Sequence, residues 1–346
     1  MRILFIHKDF PPGGGVEQVH LRLARQFARD GHQVGFFVMN GDPVPGWPSV
    51  AGSGARPATC LRLRRLIRQG VTHLMAAKEQ ANLCAWLAAR GTGCRVIYSR
   101  HAALDCSGQR IGPRLIGLLY SLYLLGDGQA VAVSAPLARA LAARLLWRRQ
   151  RLQECPNAVI DDELGALAAL PPPCPLPQRF LLAVGRLTPE KGFDLLLEAY
   201  ALASRQAALP PLVIVGQGPL GDALHEQARR LGIAGRVLFT GYLSNPYPLF
   251  RRARLFVLSS RQEGMPTVLI EALALRVPVV ATDCRTGPRE LLDGGRLGVL
   301  VAPGDPHALA RGLLRGLASQ ASVAEDVLRR FHSSHAAQAF YQVWNP

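Results

Sequence analysis

Short apolar runs alternate with helix-forming segments along the whole chain, and this alternation limits the possible folds more than any other feature. In the first half these runs cover residues 2–7, 33–38, 72–76, 95–99 and 130–134. In the second half they cover residues 180–185, 212–216, 236–241, 254–259, 277–282 and 298–301. Strands that are apolar on both sides are buried on both faces, as in parallel sheets that helices cover. The sequence therefore predicts an α/β protein with two doubly wound, parallel sheets.

A proline cluster at residues 170–178, LPPPCPLPQ, is the clearest boundary in the chain. Proline interrupts helices and central strands, so the segment is typical of a linker. We predict an N-terminal Rossmann-like domain over 1–170 and a C-terminal one over 178–330. The tail, 331–346, has helical spacing, and we expect it to pack back on the N-terminal domain. Ligands of such sheets bind at the carboxyl ends of the strands, so two facing domains would enclose a central cleft.

The composition favours a folded intracellular protein. Hydrophobic residues make up 49% of the chain and charged residues 18%, which is enough apolar material for large cores. The longest apolar stretch, 115–126, is shorter than the ~20 residues that a spanning helix needs, and the N-terminal apolar run is too short for a signal peptide. The seven cysteines form no C-x-x-C pair, which argues against a zinc site or a disulfide framework. We expect a cytoplasmic protein that is soluble or peripheral on the inner face of the plasma membrane.

The formal net charge of +16 suggests an anionic partner. Two arginine-dense segments, 61–70 and 143–151, are compatible with amphipathic helices that carry arginine on one face. Such helices suit an anionic membrane surface or an acidic substrate, but solvated polar faces would give the same pattern. Nucleic acid is not expected, since the sequence has no zinc finger, stacking motif or basic recognition helix.

Two glutamates frame an apolar segment in the second half. Glu263 is expected in a loop that follows a strand, and Pro266 would begin a helix that contains Glu271. Backbone N–H groups at the start of that helix could hold a phosphate, while carboxylates accept hydrogen bonds from hydroxyls. The spacing suits a nucleotide sugar, with Glu271 on the ribose and Glu263 on the sugar. A capping glutamate and an exposed helix acid would explain the two residues without a ligand.

Two cations are expected near the same edge of the second sheet. Arg186 follows a strand and Lys191 precedes a helix, and the chain contains few lysines. A guanidinium and an ammonium group suit a diphosphate and would neutralise the charge that forms on it as it leaves. Two solvated surface cations are the alternative interpretation.

Further loops offer weaker signals. Gly216 lies in a tight loop after a strand, and backbone groups around Tyr242 and Leu243 could hold a base edge. In the first half, Gly14 and Gly15 lie in a glycine loop before a helix, where a backbone can approach a ligand closely.

Over about residues 180–305 the chain contains, in this order, the motifs GR…EKG, VGQGP, TGYL, EG-P…E and TGPREL. This ordered series resembles that of the retaining glycosyltransferases of family 4. The resemblance implies the GT-B fold, in which two Rossmann-like domains face a cleft, and a nucleotide-sugar donor. It implies that Arg186 and Lys191 hold the diphosphate, that Glu263 and the backbone of Gly264, Met265, Pro266 and Thr267 hold the sugar, and that Glu271 holds the ribose.

The first half resembles this family more loosely. The glycine loop at Gly14 and Gly15 would lie beside the donor phosphates and the acceptor, and His101 would lie near the reacting sugar. Glu17 is a candidate acceptor contact. Because no D-x-D sequence is present, no metal ion or other cofactor is expected.

The resulting hypothesis is a retaining transferase for hexose or N-acetylhexosamine. The donor would be a nucleotide sugar, most simply UDP-linked, and the acceptor a glycan or lipid-linked glycan of polysaccharide or lipopolysaccharide synthesis. The alternatives are a sugar-nucleotide epimerase with the same fold and a non-catalytic, basic membrane-binding protein. A dinucleotide dehydrogenase is not favoured, because the G-x-G-x-x-G fingerprint is absent.

Overall fold

The computed structural model describes residues 1–11, 13–52, 57–104, 111–320 and 324–344, which form two compact units. Unit 1 comprises Met1–Val159 and Phe331–Pro346, and unit 2 comprises Ile160–Arg330. Each unit is an α/β sandwich built on its own parallel sheet, so the predicted fold class is confirmed.

Unit 1 contains a seven-stranded parallel sheet in the order β3-β2-β1-β4-β5-β6-β7. Its strands are β1 (Arg2–His7), β2 (Gln33–Val38), β3 (Ser49–Ala51), β4 (His73–Ala77), β5 (Arg95–Arg100), β6 (Gln129–Ala132) and β7 (Leu152–Glu154). Its first five helices are α1 (Gly15–Arg29), α2 (Pro57–Arg68), α3 (Glu79–Ala89), α4 (Pro113–Tyr123) and α5 (Ala135–Ala142). The central strands are buried on both faces, as their continuous apolar sequences predict.

Unit 2 contains a six-stranded parallel sheet in the order β10-β9-β8-β11-β12-β13. Its strands are β8 (Leu181–Val184), β9 (Leu212–Val215), β10 (Val237–Gly241), β11 (Leu255–Leu258), β12 (Val279–Thr282) and β13 (Val299–Val301). Its helices are α6 (Glu163–Ala169), α7 (Phe193–Ser204), α8 (Gly221–Arg230), α9 (Tyr247–Arg252), α10 (Thr267–Ala274), α11 (Pro288–Leu291), α12 (Pro306–Ala318) and α13 (Glu325–Leu328). One core joins the strands to α7 and α12 through residues such as Leu181, Leu197 and Leu313.

The chain returns to unit 1 in a last helix, α14 (Ser333–Trp344), which packs against α1. Trp344 is 2% exposed and lies against Phe27 and His73, and the Tyr341 hydroxyl donates to the Asp30 carboxylate at 2.6 Å. The tail therefore belongs to the core of unit 1.

The boundary between the units differs from the predicted linker. Residues 160–170 were expected in the N-terminal domain, but they belong to unit 2, because α6 packs on α9 and the Asn245 side chain donates to the Leu167 carbonyl at 3.0 Å. The chain crosses at Val159 and again before Phe331, where the Val159 N–H donates to the Phe331 carbonyl at 2.9 Å.

The two arginine-dense segments have different structures. Residues 61–68 lie in α2, as predicted, but the helix predicted over 143–151 is wrong. There the chain turns after α5, Arg148 takes a left-handed conformation with φ 54°, and only a short 3-10 turn at Arg149–Arg151 precedes the edge strand β7. A left-handed residue cannot continue an α-helix, so the segment bends back along α4.

Candidate active site

In each sheet, the strand order reverses at one point, and charged side chains lie on the loops beside it. In unit 2 this switch point lies between β8 and β11, which are neighbours although chain order separates them. Ligands of open α/β sheets bind at such points, outside the carboxyl ends of the strands. The loop after β8 carries Arg186 and Lys191, and the loop after β11 carries Glu263.

Lys191 and Glu263 form an ion pair across this switch point. Lys191 Nζ lies 2.6 Å from Glu263 Oε1, and the Lys191 and Glu263 side chains are 20% and 8% exposed. The Ser260 hydroxyl donates to the same oxygen at 2.7 Å. Both contacts go to Oε1, so among the described residues Oε2 has no hydrogen-bond partner and remains available to a ligand hydroxyl.

The loops around this pair are fixed by backbone contacts. The Ser259 hydroxyl donates to the Lys191 carbonyl at 3.0 Å, and the Thr286 hydroxyl donates to the Glu263 carbonyl. Gly192 has a left-handed φ of 61°, and a Cβ at this position would lie 2.2 Å from the Ser259 carbonyl oxygen. Only glycine therefore allows the β8 and β11 loops to approach this closely.

Arg186 lies on the same loop but points to solvent. Its side chain is 68% exposed and pairs with Glu190 at 3.2 Å, four residues along the chain. Exposed pairs of this kind are weak, so the guanidinium is free to exchange partners when an anion binds.

Gly216 brings the β9 loop against the β8 loop. It has φ 143°, and a Cβ would lie 1.9 Å from the Gly185 carbonyl oxygen. Tyr242 and Leu243 follow β10, the next strand along the sheet, and are partly exposed. The structure therefore places these three predicted residues at the carboxyl edge of the same sheet that carries Lys191.

The segment from Gly264 to Thr267 leads into α10, and Pro266 is its N-cap residue. Gly264, Met265 and Pro266 are buried, while Thr267 is partly exposed. Glu271, in the second turn, is 6% exposed, and the Tyr247 hydroxyl donates to its Oε1 at 3.1 Å. Sequence reasoning assigned no role to Tyr247, although it lies shortly after Tyr242 and Leu243.

A second polar cluster lies at the switch point of unit 1, between β1 and β4. The glycine loop leads from β1 into α1, which begins at Gly15 with Gly14 as its N-cap. Lys78, directly after β4, places Nζ 2.5 Å from Oε1 of Glu17, whose side chain is 3% exposed. A Cβ on Gly14 would lie 2.0 Å from Glu17 Oε2, so a side chain at this position would require the carboxylate to move.

Three histidines extend this cluster. His7 Nδ1 lies 3.8 Å from Glu17 Oε1, and His7 Nε2 lies 2.9 Å from His20 Nδ1. The His20 ring packs on the His101 ring with centroids 5.6 Å apart, and His101 Nε2 lies 3.1 Å from the Ser99 hydroxyl. His101 therefore joins a packed network rather than standing alone at the end of β5.

The network shifts the pKa values of its members. Burial lowers the pKa of His101 to about 3 against the opposing charge of Glu17, and burial likewise lowers the pKa of His7 and His20. Burial would raise the pKa of Glu17, but the contacts with His7 and Lys78 outweigh it and lower the pKa to about 2. At neutral pH the cluster thus contains neutral imidazoles and one ionised carboxylate paired with Lys78.

The structure places Glu17 inside unit 1 rather than on an open surface, so its contact with an acceptor stays a prediction. Sequence reasoning gave no role to Lys78. Its position directly after a buried strand and the scarcity of lysine in the chain were the available signals.

The chain matches known families over most of its length. The family described as Glycosyltransferase Family 4 matches residues 13–163, and the family described as Glycosyl transferases group 1 matches residues 178–319. The chain belongs to the family 4 glycosyltransferases. The resemblance noted in the sequence is therefore confirmed.

Curated relatives include proteins of cell-envelope glycan synthesis. Lipopolysaccharide core biosynthesis glycosyltransferase LpsE of Rhizobium meliloti is 26% identical over 313 residues, which cover 89% of this chain and 86% of the relative. The N-acetylgalactosamine-N,N'-diacetylbacillosaminyl-diphospho-undecaprenol 4-alpha-N-acetylgalactosaminyltransferase of Campylobacter jejuni is 34% identical over 171 residues, or 49% of this chain. That match spans only 44% of the length of the Campylobacter protein. A match to an uncharacterised glycosyltransferase of Methanocaldococcus jannaschii spans only 27% of the length of that relative.

Solved structures show the same fold over the whole chain. HepE of Anabaena in complex with UDP-glucose has a TM-score of 0.81 and 20% identity, covering 100% of this chain and 99% of that one. Sucrose-phosphate synthase of Thermosynechococcus elongatus has a TM-score of 0.77 and 18% identity, covering 100% and 98%. These likenesses show that the chain has the GT-B fold.

Proposed function

We propose that the protein is a retaining glycosyltransferase that moves a hexose or N-acetylhexosamine from a UDP-sugar to a glycan or lipid-linked glycan. Its product would belong to cell-envelope polysaccharide or lipopolysaccharide synthesis. The observation that carries the proposal is the Lys191–Glu263 pair at the switch point of unit 2, which offers a cation and a carboxylate side by side. Family membership, the relatives of polysaccharide synthesis and the UDP-sugar complex of HepE support it.

The donor would occupy the carboxyl edge of the unit 2 sheet. Lys191 and Arg186 would hold the diphosphate, with Lys191 exchanging part of its contact with Glu263 for phosphate oxygens. Glu263 Oε2 and the backbone of Gly264, Met265, Pro266 and Thr267 would hold the sugar hydroxyls. Glu271 would accept hydrogen bonds from the ribose, and backbone groups near Gly216, Tyr242 and Leu243 would hold the rest of the nucleotide.

In unit 1, the proposed members of the site are Gly14, Gly15, His101 and Glu17. The glycines would allow phosphates to approach the start of α1. The neutral imidazole of His101 can donate or accept a hydrogen bond without adding charge near the sugar, because burial lowers its pKa to about 3. Glu17, paired with Lys78, would act from beneath the glycine loop.

The proposed transfer breaks the bond between the anomeric carbon and the diphosphate oxygen and forms a bond from that carbon to the acceptor oxygen. The acceptor would attack on the face that the diphosphate leaves, which retains the anomeric configuration. The acceptor proton passes to the departing diphosphate oxygen, so the charges balance without a side-chain base. Lys191 and Arg186 would stabilise the negative charge on the leaving group. No metal ion or other cofactor is required by this scheme.

The test is a screen of UDP- and GDP-sugars with the purified protein and a lipid-linked acceptor in EDTA, scored by nucleoside diphosphate release. The proposal expects release with at least one UDP-sugar and a product whose anomeric proton coupling in NMR matches that of the donor. An inverted product would contradict the retaining mechanism. Conversion of a UDP-sugar without transfer would indicate an epimerase instead.

A further inference from the structure

In unit 1, the exposed apolar side chains are concentrated on one side of the sheet. The chain passes from β3 to β4, β5 and β6 in one direction, so right-handed crossovers place α2, α3 and α4 on one face and α1 on the other. Eight of the ten exposed large apolar side chains in the described residues lie on α2, α3, α4 or the segments that follow α4 and α5. The remaining two, Leu170 and Leu238, lie in unit 2. Such a one-sided distribution indicates an interaction surface.

The first part of this surface is formed by α2 and α3. Leu61 is 67% exposed, and Leu83 and Leu87 lie one helical turn apart on the outer side of α3. The two helices are in direct contact, since Cys60 Sγ lies 3.3 Å from Cys84 Sγ. Their exposed leucines therefore belong to one continuous face.

The second part is formed by α4 and the segment after α5. Leu115 and Leu118 are exposed on α4, and Leu146 is 63% exposed on the segment. The Trp147 indole donates to the Ser121 carbonyl at 2.8 Å, which fixes this segment against α4. The bend that replaces the predicted helix thus adds a leucine and a tryptophan to the same face.

Charge on this face is mostly positive, because α3 contributes a single acid, Glu79, and that acid pairs with an arginine. The sequences of α2, α4 and residues 143–151 contain nine arginines and no Asp or Glu. Those with described side-chain hydrogen bonds donate to backbone carbonyls; Arg64 donates to the Ala88 carbonyl at 3.1 Å and Arg144 to the Ala140 carbonyl at 2.7 Å. Backbone carbonyls do not cancel the charge, so the surface is strongly positive.

We propose that this surface, formed by α2, α3, α4 and residues 143–151, docks the protein on an anionic lipid bilayer. Exposed Leu and Trp side chains enter the boundary between headgroups and acyl chains, while arginines around them contact lipid phosphates. A nucleic acid would use the arginines but would gain nothing from exposed leucines. Among the described residues no helix is long and apolar enough to span a bilayer.

The test is co-sedimentation of the full-length protein with vesicles of phosphatidylcholine alone and of an equimolar mixture with phosphatidylglycerol. The triple variant Arg62→Ser, Arg65→Ser, Arg114→Ser should bind the mixed vesicles about 100-fold more weakly, since each basic residue near the surface contributes roughly fivefold. The double variant Leu118→Ser, Leu146→Ser should bind at least ~10-fold more weakly, because it removes apolar insertion.

Matched controls lie in unit 2, on exposed positions. Leu170→Ser with Leu238→Ser, and Arg230→Ser with Arg311→Ser and Arg315→Ser, should leave vesicle binding unchanged. Circular dichroism melting would show that each variant is folded.

Three results would overturn the proposal. One is equal binding by the wild-type protein to both vesicle types or to neither. The second concerns binding to tRNA, measured as a nucleic-acid probe beside the vesicles. If the arginine variant loses both tRNA and vesicle binding while the leucine variant binds both as wild type does, the surface is one for nucleic acid. The third is a wild-type dimer in sedimentation velocity that the leucine variant converts to a monomer without changing vesicle binding. Because no donor or acceptor is used, failure here is distinct from failure of the proposed transfer activity.

Discussion

Individual carboxylates in this protein are held by donors that come from distant parts of the chain. Glu263 accepts from Lys191, which lies 72 residues earlier, and from Ser260 in its own loop. Glu271 accepts from Tyr247 on α9. A buried carboxylate held in this way keeps a defined orientation, so a ligand hydroxyl meets an acceptor that needs no rearrangement.

Tyr247 acts, on this account, as a positioning residue for Glu271. Tyr247→Phe removes the hydroxyl that donates at 3.1 Å and leaves the ring in place. We expect KM for the UDP-sugar to rise roughly three- to tenfold with little change in kcat, since about 1 kcal/mol of ground-state binding is lost. Steady-state kinetics would measure both constants.

Tyr200→Phe provides the matched control, because the Tyr200 hydroxyl donates to the Pro210 carbonyl at 2.9 Å within the core of unit 2. That variant should lose stability without changing KM. A donor KM that is the same in Tyr247→Phe and wild type would remove the positioning role.

At the scale of helices and strands, elements with a continuous apolar run follow from the sequence, including the edge strands β10 and β13, and edge strands without such a run do not. The strands β1 and β2 have the predicted bounds, and α10 begins at Thr267, one residue after the predicted start at Pro266. The edge strands β3 and β7 were missed because each has only three residues, which are partly or fully exposed and form no continuous apolar run. The bend that replaces the predicted helix at 143–151 depends on the contact with α4, which no local pattern encodes.

The candidate site divides in the same way. Loops after buried strands could be placed from the sequence, because parallel strands end at one edge of their sheet, and this put Lys191 and Glu263 together. The partners Tyr247 and Lys78 were not found, since their contacts with Glu271 and Glu17 depend on how helices pack across the sheet.

The start of α3 carries backbone strain that can be measured. Lys78, its N-cap residue, has φ 71° and ψ 152°, a region open almost only to glycine that costs a side-chain-bearing residue about 1–3 kcal/mol. We expect Lys78→Ala to be destabilised, because it keeps the strain and leaves buried Glu17 without its ammonium partner. Lys78→Gly should recover about 1–3 kcal/mol of that loss, measured by urea unfolding.

Leu220 is the N-cap of α8 and has an ordinary φ of −88°, so it serves as a control. There the Gly variant should be more stable than the Ala variant only by the ordinary N-cap preference, about 0.5–1 kcal/mol. An equally small difference at Lys78 would show that its backbone is not strained.

At the scale of the whole molecule, the two units differ in their buried histidines. Unit 1 buries His7, His20 and His73, and burial lowers the pKa of each. Both histidines of unit 2, His225 and His307, are exposed. Protonation of the histidines in the unfolded state therefore lowers mainly the free energy of unfolding of unit 1.

Acid should unfold unit 1 before unit 2. A histidine whose pKa is lowered on folding contributes its full share to the free energy of unfolding at pH values above its unfolded pKa of about 6.5. Below that pH, the contribution of each such histidine falls by up to about 1.4 kcal/mol per pH unit. The loss continues to about pH 4 for His73 and about pH 3 for His101. All four tryptophans lie in unit 1, so their fluorescence should report unfolding at a higher pH than the far-UV circular dichroism of the whole chain. Coincident transitions would contradict this order.

The central claim is that Lys191, paired with Glu263, stabilises a departing nucleoside diphosphate. The most direct measurement is the rate of UDP release from the UDP-sugar identified by the donor screen. Wild type is compared at equal folded concentration with Lys191→Ala and with the control Lys8→Ala, whose side chain is 39% exposed. The account predicts a loss of at least ~100-fold in kcat for folded Lys191→Ala and a wild-type rate for Lys8→Ala. Lys191→Ala should also melt at a lower temperature, because buried Glu263 loses its ammonium partner. A Lys191→Ala enzyme that turns over within threefold of wild type would contradict it.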